Sequence, residues 1–268
     1  MSMTLIDTHT HLDGFARRGV LPAVLARAAE AGVSEMITIG TAPDDWALYR
    51  GLARDHPKRV HYSIGLHPCS VTEGWSEAVA QIAAFWDSGE TPGPVALGEC
   101  GLDRFHLPKD PAAAGLAFAW QRAAFGAQLE IAVRLGCPLV VHSRGAFKEC
   151  MEMLEASGVH WDRVVLHCFV EGTAEMEELA RRGGVGSFTG ILTYKNADTV
   201  RAAARAQGIG RLMIETDAPW LAPVPLRGEP NEPAYLRHTA EAAAKLFGVP
   251  LALLAETTTR NARQFFGI

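Results

Sequence analysis

A chain of 268 residues that is 48% hydrophobic and 21% charged has the composition of an ordinary globular protein and is not a disordered one. Its net charge of −5 excludes binding carried by a global basic surface, so contact with nucleic acid would have to use local charge or bound metal. Five cysteines, odd in number and without a Cys-x-x-Cys pair, exclude a disulfide framework and suit reduced thiols.

In chain order, short apolar runs rich in β-branched residues alternate with longer helical patterns. Strands are expected over 5–8, 35–39, 60–64, 95–98, 139–142, 164–167, 184–188 and 212–215. Helices are expected over 21–31, 44–55, 76–86, 112–135, 146–156, 174–182 and 198–207, with a helical tail over 232–247 and 251–266. Parallel strands need crossovers, and eight βα units point to a closed (βα)8 TIM barrel spanning 1–268 as a single domain. A doubly wound open sheet is the runner-up, but the turn after the first strand lacks the glycine-rich dinucleotide fingerprint. The Pro/Gly clusters at 91–94 and 222–225 are too short to divide domains. There is no apolar leader and no stretch of membrane-span length, so a soluble, cytoplasmic protein is expected.

The unusual residues fall at strand ends. The first strand runs into Asp7-Thr8-His9-Thr10-His11, where spacing of two lets His9 and His11 face the same way. Glu99 follows the fourth strand, His142 ends the fifth, His167 ends the sixth and Asp217 follows the eighth. Each alone has an ordinary reading as a core histidine, an ion-pair partner or a turn residue. In a barrel, the carboxyl ends of the strands share one face, so these six converge there. Four imidazoles and two carboxylates suffice for two divalent ions, a carboxylate bridging them, and such a pair hydrolyses esters. Arg144 and Lys195, just past the fifth and seventh strands, could pair with phosphate oxygens, and Arg227 is a further candidate. Glu215 alternates with Asp217 and could orient a ligand histidine, with Asp103 doing likewise.

From Leu5 to Gly267 the chain resembles the TatD-like metal-dependent hydrolases, a branch of the amidohydrolase-type barrels. The matching stretches, in order, are the run Asp7 to Asp13, Gly65-Leu66-His67-Pro68, Gly98-Glu99-Cys100-Gly101-Leu102-Asp103, Val141-His142-Ser143-Arg144, Leu166-His167-Cys168-Phe169, Gly190 to Asn196, Glu215-Thr216-Asp217-Ala218-Pro219, Arg227-Gly228 with Asn231-Glu232-Pro233, and Thr257 to Asn261. The resemblance implies one ion on His9, His11, Glu99 and Asp217 and a second on Glu99, His142 and His167, the metals being Mg, Mn or Zn. It also implies that Asp217 orients water and acts as general base, and that His67 contacts substrate or transfers a proton. Two places depart from the family: Gly145 stands where many relatives are acidic, and Arg104-Phe105-His106 replaces a more usual aromatic pair. Both bear on how substrate is gripped.

The function implied is a metal-dependent deoxyribonuclease, a 3′-5′ exonuclease on the ends of single-stranded DNA or RNA, with no membrane and no stable protein partner. The alternatives are an ester hydrolase such as a D-aminoacyl-tRNA deacylase, and a metal-binding protein without turnover.

Overall fold

The structure is a computed structural model describing residues 4–268, so the first three residues of the expected barrel lie outside the described ones. Eight strands, β1 (Leu5–Thr10), β2 (Val33–Thr38), β3 (Val60–Ile64), β4 (Ala96–Asp103), β5 (Leu139–Arg144), β6 (Val164–Leu166), β7 (Val185–Phe188) and β8 (Met213–Ile214), pair in sequence order. Every pair is parallel.

Helices cross between them: α1 (Asp13–Arg17) and α2 (Leu21–Glu30), then α3 (Pro43–Asp55), α4 (Trp75–Trp86), α5 (Pro111–Leu135), α6 (Phe147–Ser157), α7 (Thr173–Arg182) and α8 (Asp198–Gln207). After β8 come α9 (Leu236–Phe247) and α10 (Leu251–Phe266). The short α1 was not expected. No helix among the described residues is long and apolar enough to cross a membrane.

The ring closes where β1 meets the segment after β8. Thr10 bridges Ala218 in parallel, and the Asp217 amide donates to the His9 carbonyl at 2.8 Å. The buried Asp7 carboxylate strengthens the seam by accepting from the Thr216 amide at 2.9 Å and its hydroxyl at 2.6 Å.

Strand alternation sorts side chains into two layers. Ile37, Ile39, Ala96, Val140, Val165, Val185 and Met213 fill the barrel interior with Phe265 and Phe266 of α10, while Met36, Tyr62, Leu97, Leu139, Val141 and Leu166 pack outward with the helices. The inner residues Val140, Val165 and Met213 put His142, His167 and Glu215 on the inner face by simple alternation.

Glu99 reaches that face differently. The strand expected to stop at 98 continues to Asp103, so Glu99 lies inside β4 rather than after it. Leu97 pairs with Leu139 and Cys100 with Val141, so β4 takes three steps where β5 takes two. Alternation from the inner Ala96 would turn Glu99 outward, but the one extra residue, a β-bulge, turns it inward. β1 repeats the device, since Asp7 pairs with Met36 and Thr10 with Thr38.

Candidate active site

The carboxyl ends of the strands bring together all six expected ligands and His67. His9 is in β1 and His11 just beyond it; His142 is inside β5, His167 follows β6, and Asp217 follows β8 at φ 54°, a left-handed conformation that aspartate tolerates better than most residues. Glu99 is the hub. Its Oε1 lies 2.7 Å from His167 Nε2, 2.9 Å from His142 Nδ1 and 3.3 Å from His67 Nε2, while Oε2 lies 3.3 Å from His9 Nε2. Asp217 Oδ1 stands 3.4 Å from His11 Nε2 and 3.5 Å from His9 Nε2.

The outward contacts of these rings show which nitrogens are free. His142 Nε2 is 3.1 Å from Asp103 Oδ2, and His167 Nδ1 is 3.4 Å from Glu215 Oε1. Glu215 is itself held by the Cys168 amide at 2.7 Å and by the Ser187 hydroxyl. A neutral imidazole has one proton; the Asp103 hydrogen bond draws that of His142 to its outward nitrogen, and the charge of Glu215, close to His167 Nδ1 though not hydrogen-bonded to it, favours the same tautomer there. The inward nitrogens, 3.1 Å apart, then aim lone pairs at one another and at Glu99. Such an arrangement is repulsive without positive charge in its midst. His9 adds a second sign: both of its ring nitrogens are buried and neither has a hydrogen-bond partner. Imidazole nitrogens and carboxylate oxygens suit Zn, Mn or Fe, so the donor set fits divalent metal. His67 differs, because its Nδ1 accepts from the Cys69 amide at 3.0 Å. That leaves its proton on Nε2, facing Glu99 as a donor rather than a ligand.

The electrostatics agree. Burial pushes the Glu99 carboxyl up, but His167, His67, His9 and the His142 hydrogen bond outweigh it and hold the group well below the usual range. Asp217 is likewise lowered, burial being overcome by His11, His9 and His167. Burial pulls His167 down, yet Glu99 and Glu215 raise it well above its ordinary value. The cluster is a sink for cations, whether protons or metal ions.

The expected substrate residues lie at the surface. Arg144, Lys195 and Arg227 are exposed, and none is in an ion pair among the described residues. Arg144 stacks on Phe105, its Cζ 3.9 Å from the ring centroid, and Arg227 stacks on Tyr194 at 4.3 Å.

Several supporting residues carried no expected role. Asp7 clamps β1 to the segment after β8, and burial pushes its pKa up to about 8. Asn231 donates to the Thr216 and Trp220 carbonyls at 2.9 and 2.6 Å, fixing the chain on both sides of Asp217. Gln128 holds Leu66, next to His67, through its amide at 2.8 Å and carbonyl at 3.1 Å, and Gln121 accepts from the Asp103 amide at 2.9 Å. Two glutamines on the buried stripe of α5 are a signal visible in sequence, since an apolar helix face has no other use for them.

Comparison with known proteins completes the picture. The family model described as TatD related DNase matches residues 6–267. An Escherichia coli K12 protein named uncharacterized metal-dependent hydrolase YcfH is 35% identical over 270 residues, 99% of this chain and 97% of that one. The 3'-5' ssDNA/RNA exonuclease TatD of Erwinia tasmaniensis is 34% identical over 250 residues, 91% of this chain and 93% of that one. The crystal structure of YjjV, a TatD homologue from Escherichia coli, superposes with a TM-score of 0.88 at 26% identity, covering 100% of both chains. With the barrel, the histidine and carboxylate cluster and the family match all spanning the same residues, this chain belongs to the TatD family of metal-dependent hydrolases.

Proposed function

We propose that the chain removes nucleotides from the 3′ end of single-stranded DNA or RNA by hydrolysing phosphodiesters. In this reading His9, His11, Glu99 and Asp217 hold one divalent ion, and Glu99, His142 and His167 a second, Mg, Mn or Zn. The supporting observation is Glu99, a buried carboxylate faced by inward nitrogens of both ligand groups. The exonuclease name of the Erwinia relatives supports the substrate class.

Bound ions would supply acidification of water and neutralisation of phosphoryl charge. The chain's own groups do the rest. Asp217, kept ionised by the neighbouring imidazoles, takes the proton of the attacking water at a carboxylate oxygen. Glu99 spans the two ligand groups. His67, with its proton on Nε2, donates to an oxygen of the phosphate or to the leaving group. Arg144, Arg227 and Lys195 offer charge to phosphates upstream, and the first two stand on aromatic rings that give bases a stacking surface. Asp103 and Glu215 act through His142 and His167, whose orientation they set. The unit is 1–268, working alone in the cytoplasm, a setting its five free cysteines suit.

Single-stranded oligonucleotides labelled at either end test the reading. Mononucleotide release should begin at the 3′ label and depend on added divalent metal. Release of an aminoacyl group from mischarged tRNA, with oligonucleotides untouched, would replace the nuclease reading by the ester one.

A further inference from the structure

Outside the inner cluster, three more ligating side chains meet at the mouth of the barrel. Cys69 stands in the 3-10 turn Pro68–Ser70 after β3, Asp103 ends β4, and His106 lies in the turn that follows. Asp103 Oδ2 is 2.8 Å from His106 Nδ1 and 3.7 Å from Cys69 Sγ, and one ligand atom from each of the three lies within 4.8 Å of the others. Asp103 is buried and fixed, its amide donating to Gln121 and its Oδ1 accepting from the His106 amide at 2.8 Å. Cys69 and His106 are exposed, so solvent reaches the group.

We propose that Cys69, Asp103 and His106 form an outer metal site for a soft divalent cation such as Zn²⁺, with its fourth position open to water. A tetrahedral zinc with ordinary bond lengths separates oxygen from nitrogen or sulfur ligands by about 3.3–3.5 Å, so the two measured separations need only small side-chain adjustments. On binding, the Cys69 thiol gives its proton to solvent and the thiolate takes the metal. The proposed inner ligands are all nitrogen and oxygen, whereas a thiolate favours a softer ion, so the outer site should discriminate more strongly for zinc over magnesium or manganese than the inner one. Asp103 Oδ2 also faces His142 Nε2 at 3.1 Å, which ties the outer ion to a ring of the inner cluster through one carboxylate. The site stands whether or not the chain is a nuclease.

The test uses the full-length protein and the metal alone. Wild type loaded with Co²⁺ should show a thiolate-to-cobalt charge-transfer band in the near ultraviolet, and Cys69→Ser should lose it. Zinc-loaded Cys69→Ser and His106→Gln should each hold about one ion per chain less than wild type while keeping the rest. Both residues are exposed, and unchanged circular dichroism shows that the variants fold. Absence of the band from wild type overturns the proposal, as does a band or metal content that Cys69→Ser leaves unchanged.

Discussion

At the scale of single residues, the site depends on which nitrogen of each ring carries the proton, and that is decided one contact behind the ligands. Glu215 shows this. Its Oε1 faces His167 Nδ1 while its two oxygens also accept from the Cys168 amide and the Ser187 hydroxyl. Replacing it with glutamine keeps the volume but removes the charge that draws the ring proton outward. Glu215→Gln is therefore expected to weaken metal binding by about 10–100-fold while leaving the barrel folded. Chelator competition with circular dichroism checks this, and unchanged affinity would mean that His167 is oriented by packing alone. The residues of the cluster were legible because histidine and carboxylate are conspicuous at the ends of apolar strands. Asp7 and Asn231 were not: Asp7 holds backbone 209 residues away, and Asn231 holds the Thr216 and Trp220 carbonyls across an irregular loop, where no periodicity records the contact.

At the scale of elements, β4 does the most. Glycine is unfavourable in strands, and the expected strand ended at Gly98. The structure instead uses Gly98 and Gly101, at φ 142° and 136°, to carry β4 through the bulge that turns Glu99 inward. A Cβ at Gly101 would meet the His142 carbonyl oxygen at 2.0 Å, backbone that cannot move without displacing a ligand strand. Gly101→Ala should cost about 3 kcal/mol or more and loosen metal binding as well, seen as a lower urea midpoint and a lower ion content. A variant with unchanged midpoint and metal would show that β4 tolerates a side chain there.

A second element-scale feature joins β2 to β3 and α10. Glu35 receives His61 Nε2 at 3.1 Å and Arg263 Nη2 at 2.5 Å, and these contacts, the His61 hydrogen bond first, hold its carboxyl below the ordinary 4.5 against the opposing effect of burial. A lowered carboxylate pKa stabilises the fold above the unfolded value and loses that contribution as pH falls through the folded value. Arg263 is half-exposed, so the contribution is about 1–2 kcal/mol, at the low end for charged hydrogen bonds. Urea unfolding should show Glu35→Gln less stable than wild type by this amount at neutral pH, with the gap closing below pH 4.5. A gap that persists at low pH would assign the effect to packing.

At the scale of the whole molecule, the βα alternation made the eight-stranded barrel legible, because parallel strands buried on both sides read as continuous apolar runs and their crossovers as amphipathic helices. Closure was less so. β8 has only two residues, and the ring is completed beyond it by Thr10, Ala218 and the Asp7 clamp. The seam therefore falls at His9, His11 and Asp217, and closing the barrel also assembles one side of the cluster. The register shifts at Asp7–Thr10 in β1 and Leu97–Cys100 in β4 act together with the seam to bring His9, His11, Glu99 and Asp217 to the cluster, where His142 and His167 arrive by simple alternation. The measurement that tests this account most directly is metal content alongside 3′ nucleotide release for wild type and Glu99→Gln. The account predicts a folded variant that has lost both bound ions and release. A folded Glu99→Gln that keeps its metal and its activity would contradict it.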